Sequence, residues 1–197
     1  MKSPHSFLVT PIDNKRYVNT KEIGGIDFII STSEENHKAS NRFATVVETP
    51  LGYKGEVKKG DTLLVHHNVF KFYNDMKGRR KSGKSFLMGN LFLVDPDQFY
   101  LYKRDGDWRG YSKYCFVKPI CKKDSFLKKS GSVEPLMGEI KYINKELENL
   151  GLKVGDEISF QPESEYEFQI ENETLYRMFT NNITMVLWTL KKLNYKL

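Results

Sequence analysis

No apolar run in this chain approaches the ~18 residues that a membrane span requires. The opening Met1-Lys2-Ser3-Pro4-His5 leads into no apolar segment of the secretory kind, so the expected location is the cytoplasm. Cysteine is scarce. Cys115 and Cys121 are the only two, they form no C-x-x-C pair, and they predict reduced, partly buried thiols rather than a disulfide framework. The four histidines, His5, His37, His66 and His67, show no ligand spacing, and adjacent His66 and His67 would point to opposite faces of a strand, so no metal is expected. Catalytic constellations are missing as well. Asp95 with Asp97, and Asp105 with Asp107, fall in bends where aspartate suits turn geometry, and no Ser-His-Asp or Cys-His set can be assembled. The expectation is a protein that is not an enzyme.

What the chain does have is a phrase used twice. Val57-Lys58-Lys59-Gly60-Asp61 runs into Thr62-Leu63-Leu64-Val65, and Leu152-Lys153-Val154-Gly155-Asp156 runs into Glu157-Ile158-Ser159-Phe160. Each is a Gly-Asp turn that releases a β-type run. Phe7 to Ile12 matches Cys115 to Ile120 upstream, and Leu91 to Leu101 matches Leu175 to Met185 downstream. The offsets are 108, 95 and 84, so the first repeat carries 13 more residues before the phrase and 11 more after it. An internal duplication follows, and the two insertions are where function should be sought.

With 197 residues, 39% hydrophobic and 13% aromatic, the chain can build two small globular domains. Short β patterns dominate: Phe7–Ile12, Phe43–Glu48, the run after Asp61, Val69–Tyr73, Ser85–Val94 with a kink at Gly89-Asn90, and Phe99–Tyr102. The second repeat adds Phe116–Ile120, Gly138–Ile143, Glu157–Phe160, Tyr166–Ile170, Thr174–Phe179 and Ile183–Leu187. Asn144 to Leu150, stopped by Gly151, reads as a short helical piece. Residues 104–113 are polar and Gly-rich enough to be a linker. The long polar stretch between the first two strands encloses the apolar island Ile23-Gly24-Gly25-Ile26-Asp27-Phe28-Ile29-Ile30, a candidate docking arm; an ordinary hairpin folded onto its own domain is the plainer alternative.

In this order the pieces resemble the GroES-type co-chaperonin family, tandemly duplicated, as in bacteriophage-encoded members. The resemblance rests on an opening strand ending near a proline, Ala44-Thr45-Val46-Val47 or Gly138-Glu139-Ile140, the Lys-x-Gly-Asp phrase, and a closing strand-bend-strand. Above all, Gly24-Gly25-Ile26-Asp27-Phe28 stands where the family carries its mobile-loop tip. It implies an all-β fold of two small β-barrels. Residues 1–103 would hold the first, with a mobile loop at about 15–41 and a basic insertion at about 74–85, and residues 114–197 the second, without a Gly-Gly arm. The resemblance further implies a lid for a GroEL-type chaperonin, docking through Gly24, Gly25, Ile26, Asp27, Phe28, Ile29 and Ile30. ATP would be bound by the partner, with no cofactor in this chain. A homo-oligomeric ring, a heptamer by family habit, would enclose non-native client proteins, in a host's cytoplasm if the gene is viral. No membrane partner is implied. Asp27 replaces an aliphatic residue; in an extended arm Ile26, Phe28 and Ile30 share one face and Asp27 takes the other.

The formal charge of +6 is concentrated in Lys77, Arg79, Arg80, Lys81 and Lys84, which supply +5 within eight residues. Gly78 to Ser85 also matches the P-loop pattern letter for letter, but the pattern needs a helix after Lys84-Ser85, and a β-type run follows instead. The basic loop is therefore read as a solvated tip or a surface touching acidic clients, with nucleic acid not expected as a partner; a nucleic-acid contact near Phe70, Phe72 and Tyr73 is the alternative function. A virion-structural ring is the other alternative.

Overall fold

The structure is a computed structural model; it describes residues 1–17, 20–23, 26–29, 40–121 and 133–187, with 20–23 and 26–29 as backbone only. The fold is all-β, and the described residues contain one short α-helix. Strands appear in the order β1 (Phe7–Pro11), β2 (Thr20–Ile23), β3 (Ile26–Ile29), β4 (Phe43–Glu48), β5 (Thr62–Val65), β6 (Phe72–Asn74), β7 (Arg80–Ser82), β8 (Phe86–Met88), β9 (Leu91–Val94), β10 (Phe99–Arg104) and β11 (Asp107–Gly110). There follow β12 (Tyr114–Cys121), β13 (Val133–Tyr142), helix α1 (Lys145–Asn149), β14 (Glu157–Phe160), β15 (Tyr166–Ile170), β16 (Glu173–Phe179) and β17 (Ile183–Leu187). The chain falls into two compact units, Met1–Asp107 and Trp108–Leu197. Residues 104–113, read from sequence as a linker, hold the end of β10 and all of β11, with Trp108 buried.

Two sheets share one plan. The first runs β11-β10-β5-β4-β1-β9-β8 and the second β17-β14-β13-β12-β16-β15. Setting β11 aside, every strand has a counterpart in the same place. The register repeats too: Val9 faces Val46 and Phe92, while Val117 faces Ile140 and Tyr176. Irregularities recur between Leu8 and Val9 and between Phe116 and Val117. Pro11 pairs with Ala44 and Pro119 with Gly138, so a small residue lies opposite the proline each time. A Cβ on Gly138 would collide with a Val117 methyl and crowd the Lys118 carbonyl oxygen, so a larger residue there must displace the strand. Neither sheet is closed.

The repeated phrase forms the same turn twice. Gly60 and Gly155 have φ of 90° and 91°, in the region that favours glycine. Gly60 N–H donates to Val46 O at 2.8 Å and Gly155 N–H to Ile140 O at 2.8 Å, while Val46 and Ile140 return bonds to Asp61 O and Asp156 O. The aspartates accept from Lys58 N–H at 2.7 Å and Lys153 N–H at 2.8 Å, closing the turn through their side chains. The strands then deliver apolar residues to the interior: Leu63, Leu64 and Val65 are all buried in one unit, and alternate residues Ile158 and Phe160 in the other. Burial of each such side chain contributes about 1.5–3 kcal/mol.

The expected helical piece is α1. Asn144 accepts from Leu147 N–H at 3.0 Å as its N-cap, Leu147 packs inward, and Gly151 with φ 87° ends it. Two local expectations give way. Val69 and Phe70 are buried but lie in turns before β6, with Val69 N–H bonded to His66 O. Because β5 ends at Val65, His66 and His67 do not alternate across a strand; their rings lie side by side, centroids 4.1 Å apart and planes tilted by 32°. No metal-ligating cluster occurs among the described residues, and none of their helices is long and apolar enough to cross a membrane.

The two cysteines differ as their positions require. Cys115 is fully buried, and desolvation, helped by the nearby Glu146 carboxylate, pushes its thiol up to about 12; Cys121, at the far end of β12, is exposed. Thiolate is the reactive form. A disulfide reagent at pH 8 should therefore titrate one thiol in the native protein and two after denaturation, and Cys121→Ser should abolish the native reaction. Two fast-reacting native thiols would contradict this packing.

Candidate functional site

The insertions that distinguish the first unit from the second meet in space. The first, holding β2 and β3, leaves the sheet after β1 and returns before β4. Its neck is closed by an antiparallel bridge between Tyr17 and Ser40. Asn41 holds the neck from inside: its side-chain amide donates to Ile12 O and Lys15 O at 3.1 and 2.7 Å, its Oδ1 accepts from Phe43 N–H, and its own N–H bonds to Arg16 O at 3.0 Å. Ser40 Oγ donates to His67 O at 2.8 Å. Asn41 and Ser40 are buried, so these bonds replace water that the backbone has lost.

The second insertion is the basic hairpin β6–β7, with Phe72 opposite Ser82, Tyr73 opposite Lys81 and Asn74 opposite Arg80. Arg16 pins it to the neck. Its guanidinium donates to Phe70 O (2.9 Å), Lys71 O (3.2 Å) and Ser82 Oγ (3.3 Å), and lies 4.9 Å from the Phe72 ring centre and 5.1 Å from that of Phe92. Tyr17 packs edge-on against Phe72 at 4.9 Å, and its hydroxyl oxygen accepts from Phe72 N–H. Burial lowers the Arg16 guanidinium below its ordinary value; Tyr17 opposes that shift and Arg80 adds to it. Even so it stays charged, with carbonyl oxygens as acceptors.

Arg16→Met keeps much of the stem but leaves the Phe70 and Lys71 carbonyls without this donor, at a cost of about 1–3 kcal/mol. The expected result is a loosened hairpin, read as faster tryptic cleavage between Lys77 and Lys84 with the sheet cores intact. Unchanged cleavage would show that Arg16 is not the pin.

The structure divides the five cations of the basic loop by task. Arg79 Nε bonds Asp75 Oδ2 at 3.0 Å across the turn, and Asp75 Oδ1 also accepts from Lys77 and Arg79 N–H, which together hold that carboxyl below its ordinary range. Arg80 lies over the Phe72 ring, its guanidinium carbon 3.4 Å from the centroid. Lys77, Lys81 and Lys84 have no ion-pair partner among the described residues. Gly78 and Gly83 sit at opposite ends of β7, and Ser85 leads into β8, so the P-loop letters have no helix terminus on which to seat phosphate.

Of the docking residues read from sequence, Ile26, Asp27, Phe28 and Ile29 form β3, while Gly24, Gly25 and Ile30 lie outside the described residues. Strand β3 pairs with β2 in a sheet of its own: Ile23 faces Ile26, Glu22 faces Asp27, Lys21 faces Phe28 and Thr20 faces Ile29. An isolated two-stranded ribbon is marginal, and two carboxylates at facing positions weaken it further. Phe126 and Leu127, the apolar spot at the corresponding place in the second repeat, also lie outside the described residues.

Sequence reasoning missed Arg16, Tyr17, Ser40 and Asn41. Their only signal was position, a polar-aromatic pair and a Ser-Asn pair flanking the arm at either end. No protein-family model matches the chain, and no curated protein matches it.

Proposed function

We propose that this chain is a co-chaperonin: two GroES-like barrels in tandem that cap an ATP-driven, GroEL-type chaperonin chamber. One observation carries the reading. Both units follow one strand plan, yet among the described residues only the first bears a separate two-stranded ribbon, Thr20–Ile23 with Ile26–Ile29, beyond a closed neck. The paired irregularities on the opening strands, and those at Phe99/Leu101 and Ser159/Phe160, are places where each sheet can bend toward a barrel.

In this role the chain performs no chemistry. Docking of Ile26 and Phe28 in an apolar groove of the partner holds the lid, and ATP turnover in the partner releases it. Ordering a loop costs about 1–2 kcal/mol per residue, so a single arm binds weakly; a ring of arms, seven by family habit, gains through effective concentration and still lets go. The test is chaperonin-assisted refolding of a denatured client with ATP. Addition of this chain should raise the yield above that of chaperonin alone, and an unchanged yield across several bacterial chaperonins would overturn the proposal.

A further inference from the structure

The basic hairpin has two faces with different fates. Phe72, Ser82 and Arg80 turn toward the neck, where Phe72 is buried beneath two guanidinium groups. Tyr73 and its cross-strand partner Lys81 occupy the alternate positions, and Tyr73 is 51% exposed. Beside them opens a pocket of about 390 Å³ lined by Lys71, Tyr73, Lys84, Asn68, Ser85 and Gln98, at the small end of ordinary ligand sites. A half-exposed aromatic ring therefore stands among Lys71, Lys81 and Lys84 beside a pocket with two side-chain amides.

We infer that this face, Tyr73 with Lys71, Lys81 and Lys84, binds single-stranded nucleic acid, with a base stacked on Tyr73 and phosphates on the lysines. The arginines are already engaged, Arg16 on carbonyls, Arg79 on Asp75 and Arg80 on Phe72, so the cations on this face are lysines, which attract a polyanion as point charges. Two features favour a base and its phosphate over an acidic polypeptide. The ring of Tyr73 offers a stacking face, and Asn68 and Gln98 carry both donors and acceptors for a base edge. Sequence alone could not separate Tyr73 from Phe70 and Phe72; the register and the turns send those two inward. The inference holds whether or not the arm docks on a chaperonin.

The test is fluorescence anisotropy of a labelled oligothymidylate against the full chain over a series of salt concentrations. Binding should weaken with salt, with a log-log slope of about −2 for three neutralised phosphates. Lys81→Ala and Lys84→Ala should each flatten that slope by about 0.7. Tyr73→Ala should weaken binding roughly tenfold at unchanged slope, whereas Tyr73→Phe retains it. All three positions are solvent-facing, and matching melting curves confirm that each variant is folded. The inference is overturned by absence of binding, by equal binding of Tyr73→Ala, by displacement with equimolar ATP, which reads a mononucleotide site, or by displacement with polyglutamate, which reads a carboxylate surface.

Discussion

Replacing Ile26 and Phe28 together by serine should abolish capture by a chaperonin while leaving the chain folded. Both residues lie on β3, which pairs with β2 in a sheet separate from the seven-stranded one, and a melting curve checks that the variant is folded. Each side chain, if buried in a partner groove, contributes about 1.5–3 kcal/mol, and its loss lowers affinity at least tenfold. The two losses fall on every arm of a ring and compound through avidity. Asp27→Ser is the control. Register sets it at the alternate position, opposite Glu22, and its replacement should leave capture nearly unchanged or improve it by removing a facing like charge. Capture lost equally in all variants would place the contact elsewhere.

Asp61→Ala should destabilise the first unit far more than Asp156→Ala destabilises the second, although the two residues occupy the same turn. Both aspartates close the turn through a backbone N–H, a bond whose loss costs about 1 kcal/mol. Asp61 is in addition buried and bidentate to Arg104, at 2.9 Å from Nε and 2.6 Å from Nη2, and Arg104 also donates to Glu56 O. That carboxylate holds the Arg104 guanidinium above its ordinary value.

Removing one partner of a fully buried pair costs about 3–5 kcal/mol. Arg104 is a third exposed, so water screens part of that, and about 2–4 kcal/mol is expected. For a unit of this size the loss lowers its melting temperature by roughly 10–20 °C, against about 5 °C for Asp156→Ala. Calorimetry of the full chain reads both transitions. Adding Arg104→Met to Asp61→Ala should recover part of the loss, because the stranded charge is then gone; equal shifts in the two single variants would contradict the account.

Much of this was legible because the repeat constrains itself. The offsets of 108, 95 and 84 reappear as register: Val9 with Val117, Asp61 with Asp156, Phe92 with Tyr176. Gly-Asp phrases, β-branched runs and the Asn144 cap are local chemistry, and local chemistry can be read along a chain. Contacts that close over distance cannot. Nothing in the order of residues says that Arg16 lies on Phe72, or that Phe72 and Tyr73 part to opposite faces of a short hairpin. The expectation for His66 and His67 failed for a related reason: the strand stops at Val65, where His66 N–H turns to Gln98 O across the sheet. The meeting of the two insertions at the neck is likewise a property of the folded first unit.

The most direct test of the lid reading is co-sedimentation of the full chain with a bacterial chaperonin, with and without ATP. The account predicts that the chain sediments with the chaperonin only when nucleotide is present, and that the Ile26→Ser, Phe28→Ser variant stays in the supernatant. Failure to bind any of several chaperonins in either state, by a chain shown to be folded, would contradict it.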